Sequence, residues 1–225
     1  MSIGENLARI SAQVAGRATL IAVSKTKPAS DILEAYTSPA NHRDFGENYI
    51  QELVEKASML RTQCPHIRWH FIGSLQSNKI KALVEGVGPQ LASIQTIDSV
   101  SKLEKVVKAL EAHANFNALV ELYLQVNVSG EESKHGFKAL DELKEAFTRF
   151  AQLNAHHCRL VGLMSIGEPG ESERDFSRML QLQSELSAQF GEIKLSMGMS
   201  DDYELALEMG SNCIRVGSAI FGSRE

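Results

Sequence analysis

Apolar and polar positions alternate along the chain in two rhythms. Short apolar-rich runs, too brief for helices, occupy 20–25, 43–47, 68–73, 93–98, 122–128, 160–166, 193–198 and 212–218. After each of the first seven, apolar residues recur at helical spacing, as in SVSKLEKVVKALEAH, KALDELKEAFTRFAQL and ERDFSRMLQLQSELSAQF. Ser99 and Ser200 stand where the N-caps of the following helices are expected. Residues 2–15 read as one more helix, expected to cover the base of the fold.

Strict strand–helix alternation predicts a parallel sheet, because each crossover returns the chain to the same edge direction. Eight units within 225 residues match the count and size of a (β/α)₈ TIM barrel. The competitor is a doubly wound open sheet, which usually has five or six strands and a glycine-rich first turn where it binds a dinucleotide. The first turn here is SKTKP, without glycine. With no proline- or serine-rich linker, the expectation is a single α/β barrel domain over residues 1–225.

Charge and composition narrow the function classes. The net charge is −5, so no basic stripe invites nucleic acid. No apolar run approaches the roughly 20 residues of a membrane span, and the N-terminal segment lacks a secretory apolar core. Three well-separated cysteines, Cys64, Cys158 and Cys213, suit reduced thiols in a cytoplasmic chain.

The candidate chemistry begins at LIAVSKTKP, where an apolar run ends in Lys25 and Lys27. Alternation places Ile21, Val23 and Lys25 on one face, so a barrel would aim Lys25 inward at its C-terminal end, where barrel enzymes keep their chemistry. One reading leaves both lysines solvated. The other makes Lys25 a Schiff-base lysine, its amine kept neutral by an apolar interior and by Lys27. At the far end of the chain, SMGMSDD and VGSAIFG offer Ser200, Gly217 and Ser218 as a phosphate cradle or as ordinary turns. Arg215 shares a face with Gly217 and would point inward. A guanidinium stays charged, so it needs either a core carboxylate or an acceptor on a ligand. Pyridoxal 5′-phosphate offers an aldehyde for Lys25, a phosphate for the cradle and a ring nitrogen for Arg215.

Seven segments in order, AVSKTKP, FGENYIQE, WHFIGSLQSNK, TIDS, GLMSI, LSMGMSDD and IRVGSAIFG, resemble the pyridoxal phosphate homeostasis proteins, a family similar to the barrel domain of alanine racemase. That resemblance implies Lys25 as the covalent aldimine residue, Arg215 against the pyridine nitrogen, Ser200, Gly217 and Ser218 at the phosphate, and Asn48 and His70 lining the pocket. It implies a carrier that buffers the cofactor and balances vitamin B6 and amino-acid pools, without a dedicated catalytic reaction. An amino-acid racemase of the same barrel type is the alternative, and a Schiff-base aldolase a third. An arginine is a donor only, so it favours an unprotonated ring nitrogen and weak carbanion chemistry. The chain ends at FGSRE, soon after the last motif, and is expected to lack the second domain that supplies a racemase's acid/base tyrosine; of Tyr36, Tyr49, Tyr123 and Tyr203, only Tyr49 lies in a site-like motif. A monomer is expected. Lysines in QSNKIK and ESKHGF are solvated, or form a docking surface for apo-enzymes or a second cofactor site. His66 and His70, four apart on an extended run, cannot share a metal, and no metal is expected.

Overall fold

The computed structural model describes residues 1–113 and 115–223; Ala114 and the last two residues of FGSRE lie outside them. Among the described residues, eight parallel strands close into a barrel in chain order: β1 (Thr19–Val23), β2 (Asp44–Glu47), β3 (Arg68–Phe71), β4 (Leu91–Ile97), β5 (Val120–Gln125), β6 (Cys158–Met164), β7 (Lys194–Ser196) and β8 (Cys213–Val216). The first and last strands pair directly, Ile21 beside Arg215. The barrel expectation therefore holds, and the competing open sheet does not. Each strand differs from its sequence expectation at one or both ends, β5 most, which stops at Gln125 rather than Val128.

The helical ring comprises α1 (Ile3–Val14), α2 (Ala29–Thr37), α3 (Ile50–Leu60), α4 (Ile80–Val87), α5 (Val100–Glu111), α6 (Leu140–Gln152), α7 (Ser172–Phe190), α8 (Tyr203–Glu208) and α9 (Ser218–Phe221). Ser99 caps α5 as expected, its hydroxyl accepting the Lys102 amide. The N-terminal helix corrects an expectation. α1 does not lie across the barrel's base; it stands in the ring, packed against α2 and α9. Asn6 donates to the Ile220 carbonyl and Gln13 meets Tyr203 and Glu204 of α8. The reason is the short α9: four residues cannot cover β8, so the apolar face of α1 (Leu7, Ile10, Val14) fills the ring.

Alternation along the strands separates two interiors. Outward positions, among them Ala22, Phe45, Trp69, Ile94, Leu122, Leu163, Leu195 and Ile214, join the helices in the hydrophobic core. Each fully buried large side chain there contributes on the order of 1.5–3 kcal/mol. Inward positions are largely polar: Asp44, His70, Ser93, Gln95, Ser196 and Arg215 are all buried. Barrels usually fill this space with branched apolar side chains, so a polar interior demands internal partners for every group.

Candidate functional site

β1 ends at Val23, and the next four residues turn across the C-terminal mouth of the barrel before α2. Thr26 takes a left-handed backbone, φ 64°, costly for a β-branched residue. A buried ionic cluster behind the turn compensates. Glu52 of α3 accepts the Thr26 amide at 2.6 Å. Lys56, one helical turn on, sits 2.6 Å from Glu52 and 2.6 Å from Glu47 at the end of β2, and donates to the Ser24 carbonyl at 2.8 Å. Ser24 in turn donates to Glu47 at 2.8 Å. Burial pushes the Glu47 carboxyl up to about 7, against the opposing pull of Lys56. Sequence reasoning missed this cluster. The available signal was the Glu52–Lys56 pair at i,i+4, but nothing in the sequence shows that it faces inward beneath Lys25.

The mouth encloses a cavity of about 410 Å³, within the range of small-molecule sites. Lys25 lines it half-buried, beside Lys27. Lys25 lies just beyond β1 rather than within it, so it reaches the mouth from the turn. Arg215 enters from β8, the strand paired with β1, and the loops after β7 and β8 supply Ser200, Gly217 and Ser218. Asn48, following β2, Thr26 and Asp201 add to the polar lining, with Met164, Ile166 and Met199 as apolar wall.

Arg215 is almost wholly buried. Its partners are neutral: Nη1 donates to Ser196 Oγ and Nη2 to the Ser165 carbonyl, both at 2.6 Å. The core-carboxylate alternative is therefore not the arrangement found. Burial pulls the guanidinium below its ordinary value, yet it stays charged in a protein.

Ser200 corrects a second expectation. It does not cap α8, whose start is set by Asp202, the acceptor for the Met199 amide. The Ser200 hydroxyl instead accepts the amides of Gly217 at 3.2 Å and Ala219 at 3.5 Å. Two backbone donors and two serine hydroxyls thus converge at one end of the cavity. Asn48 Oδ1, on the cavity wall, and Ser165 Oγ, in the residue whose carbonyl Arg215 holds, are buried without hydrogen-bond partners, and unsatisfied buried polar atoms call for an acceptor or donor from elsewhere.

His70 does not line this cavity. It lies inside the barrel, its Nε2 2.8 Å from Asp44 and its Nδ1 2.6 Å from Ser93 Oγ. The inward side of β3 at that level is below the mouth, which is why the motif WHFIG brings Ile72 to the wall instead. None of the four tyrosines lines the cavity either. Tyr49 is exposed on a separate surface groove with Gln76 and Lys79, the latter from the QSNKIK segment. Tyr36 accepts the His66 amide, Tyr203 meets Gln13, and Tyr123 is buried inside the barrel. Burial pushes the Tyr123 phenol far above its usual range.

A family model for the alanine racemase N-terminal domain matches residues 1–225. The chain is 41% identical over 217 residues to the pyridoxal phosphate homeostasis protein of Mus musculus, covering 92% of this chain and 77% of that one. It is 40% identical over 240 residues to the protein of the same name from Pseudomonas aeruginosa, covering 100% and 96%. The structure of PipY from Synechococcus elongatus, described as having PLP bound, superposes with a TM-score of 0.83 at 34% identity, covering 98% of this chain and 100% of that one.

Proposed function

The chain belongs to the alanine racemase N-terminal domain family and, within it, to the pyridoxal phosphate homeostasis proteins, and from that membership we propose that it binds pyridoxal 5′-phosphate covalently through Lys25 and carries it as a buffer for vitamin B6 and amino-acid balance. The observation that carries the reading is the lining of one cavity: Lys25, Arg215 and the Ser200–Gly217–Ser218 cradle around about 410 Å³. The donor set fits the group, and the orphaned Asn48 Oδ1 offers an acceptor at the wall.

When bound, the cofactor supplies an aldehyde and an electron-withdrawing ring. The chain's own residues then divide the work. Lys25 holds the aldehyde carbon from the turn that Thr26 and Glu52 fix. The hydroxyls of Ser200 and Ser218 would take the phosphate dianion, joined by amides 217 and 219 as they turn from the Ser200 oxygen to the ligand. Arg215, a donor only, would meet the ring nitrogen and favour its unprotonated form, and the ring would then supply only weak carbanion stabilisation. No tyrosine lines the cavity among the described residues, so the acid/base tyrosine expected of a racemase is not part of its wall. The cofactor domain spans residues 1–225, works as a cytoplasmic monomer and hands its cargo to apo-enzymes. Ile166 and Met199, exposed apolar side chains at the mouth, suit such transient docking.

The test is an absorption spectrum of purified protein with added cofactor, beside Lys25→Ala. Wild type is expected to turn yellow and the variant to stay colourless. Borohydride reduction and peptide mass spectrometry should place the tag on Lys25; a tag on another residue, or none, sinks the reading. Turnover on the order of 1 per second in α-deuterium exchange on amino acids would replace the carrier with an enzyme.

A further inference from the structure

The polar groups inside the barrel form one continuous chain. Arg215 Nη1 donates to Ser196 Oγ at 2.6 Å. Ser196 Oγ donates to Gln95 Oε1 at 2.7 Å. Gln95 Nε2 donates to Ser93 Oγ at 3.2 Å. Ser93 Oγ lies 2.6 Å from His70 Nδ1, and His70 Nε2 lies 2.8 Å from Asp44 Oδ1. Asp44, the first residue of β2, also takes a bidentate pair from Arg68, at 2.8 and 2.6 Å. It borders a cavity with Thr19 and Leu20, at the end of the barrel opposite Lys25.

Counting hydrogens gives the chain a direction. Arg215 has only donors to give and ionised Asp44 only acceptors. Burial alone would raise the Asp44 carboxyl, but the hydrogen bonds from Arg68 and His70 outweigh it and hold the carboxyl well below the usual range. Between these fixed ends, each hydroxyl must accept from one neighbour and donate to the next. Ser93 already accepts from Gln95, so its own hydrogen needs an acceptor, and bare His70 Nδ1 provides it. His70 then carries its proton on Nε2 and gives it to Asp44. Reversing the Gln95 amide would direct both Arg215 and Gln95 at Ser196, leaving that hydroxyl only the weak acceptor Cys213 Sγ, with which it is in contact.

We propose that this six-residue chain is a polarised relay that fixes the guanidinium of Arg215 at the cavity floor, with Asp44 as its distant counter-charge and His70 as a positioning residue locked in one tautomer. Its functional consequence rests on the reading that Arg215 faces the ring nitrogen of the cofactor. The relay sets where those donors point, so breaking it in the middle loosens the cofactor without touching any cavity residue.

Two measurements on the full chain separate the relay from the carrier reading. The first uses cofactor-free wild type labelled with ¹⁵N-histidine, its His70 signals assigned by their loss in His70→Asn. Long-range ¹H–¹⁵N spectra are expected to show a proton on Nε2 and a bare Nδ1; a protonated Nδ1 overturns the relay. The second compares Ser93→Ala with Ser93→Thr, which restores the hydroxyl. Ser93→Ala should lose the single His70 tautomer and weaken pyridoxal 5′-phosphate binding by on the order of three- to tenfold, with Ser93→Thr recovering both. Unchanged affinity beside a disturbed tautomer refutes the coupling to Arg215. Wild type that binds no cofactor sinks the carrier reading and the ring-nitrogen role, while the spectra still decide the relay.

Discussion

Glu47→Gln isolates the electrostatic cost built into the Lys25 turn. Glu47 is fully buried, with Lys56 and Ser24 on one oxygen and nothing on the other. Burial raises its carboxyl from an ordinary 4.5 to about 7, with Lys56 opposing the rise. A carboxyl whose folded value lies above its unfolded one keeps its proton better in the folded state. Its contribution to stability is therefore complete below about 4.5 and lost as pH rises through about 7. The gap corresponds to roughly 3 kcal/mol, a large share of a typical net stability of about 5–15 kcal/mol.

Other groups titrate in the same range, so wild type alone is not the measurement. Burial lowers His42 below 6.5, which makes stability rise with pH in that interval and masks Glu47. Asp44 acts only at lower pH, where its stabilisation is lost as the solution is acidified. The difference between wild type and Glu47→Gln cancels both to first order. The assay is urea unfolding followed by fluorescence of the single, fully buried Trp69 at pH 5, 6, 7 and 8. The variant should gain on wild type by about 2–3 kcal/mol between pH 5 and pH 8. A flat difference, or one favouring wild type as pH rises, would mean that Lys56 holds Glu47 ionised throughout.

Three further outcomes follow from the geometry. Gly73→Ala would put a methyl carbon 1.7 Å from the Asn48 carbonyl oxygen; backbone must move, and urea midpoints should report a loss above about 2 kcal/mol. Ser200→Ala removes the hydroxyl that gathers the Gly217 and Ala219 amides; affinity for pyridoxal 5′-phosphate should fall about tenfold while that for phosphate-free pyridoxal holds, and equal losses for both in calorimetry would contradict the cradle. Trp69 is fully buried with its Nε1 unpartnered, so Trp69→Phe discards an unsatisfied donor and should cost under about 2 kcal/mol, against about 3–5 for Trp69→Ala, both read by circular dichroism.

Periodicity carried the architecture because the barrel's outer core is built from it. Residues such as Ala22, Phe45, Trp69 and Leu122 must be apolar to meet the helices, and the helices must be apolar every third or fourth position to meet them. Strand ends were less legible, since burial continues past the last strand residue, as at Ile72, Val126 and Met197, and polar residues belong to both strand and turn. The role of Ser200 was misassigned for a related reason. A serine before a helical run has the local signature of an N-cap, but Gly217 and Ala219, brought alongside by the closure of β8 against β7 and β1, compete for its oxygen. Local sequence cannot weigh a partner 17 residues away.

The barrel interior shows what the same alternation contains when it is carried around every strand. Ile21 and Val23 identify the inward face of β1, and its neighbours in register then place Asp44 and Gly46 of β2 and His70 of β3 on that face. Continuing through Ser93, Gln95 and Ser196 to Arg215 yields an interior with a cation and an anion separated by hydroxyls, an amide and an imidazole. Such a set cannot be buried by chance of composition, because each unpaired member would cost on the order of 1–3 kcal/mol. Only an ordered sequence of donors and acceptors closes it, and the two ends of that sequence decide the protonation of every group between. His70 thus matters to the cavity through the direction of its hydrogen bonds, although no atom of it lies on the cavity wall.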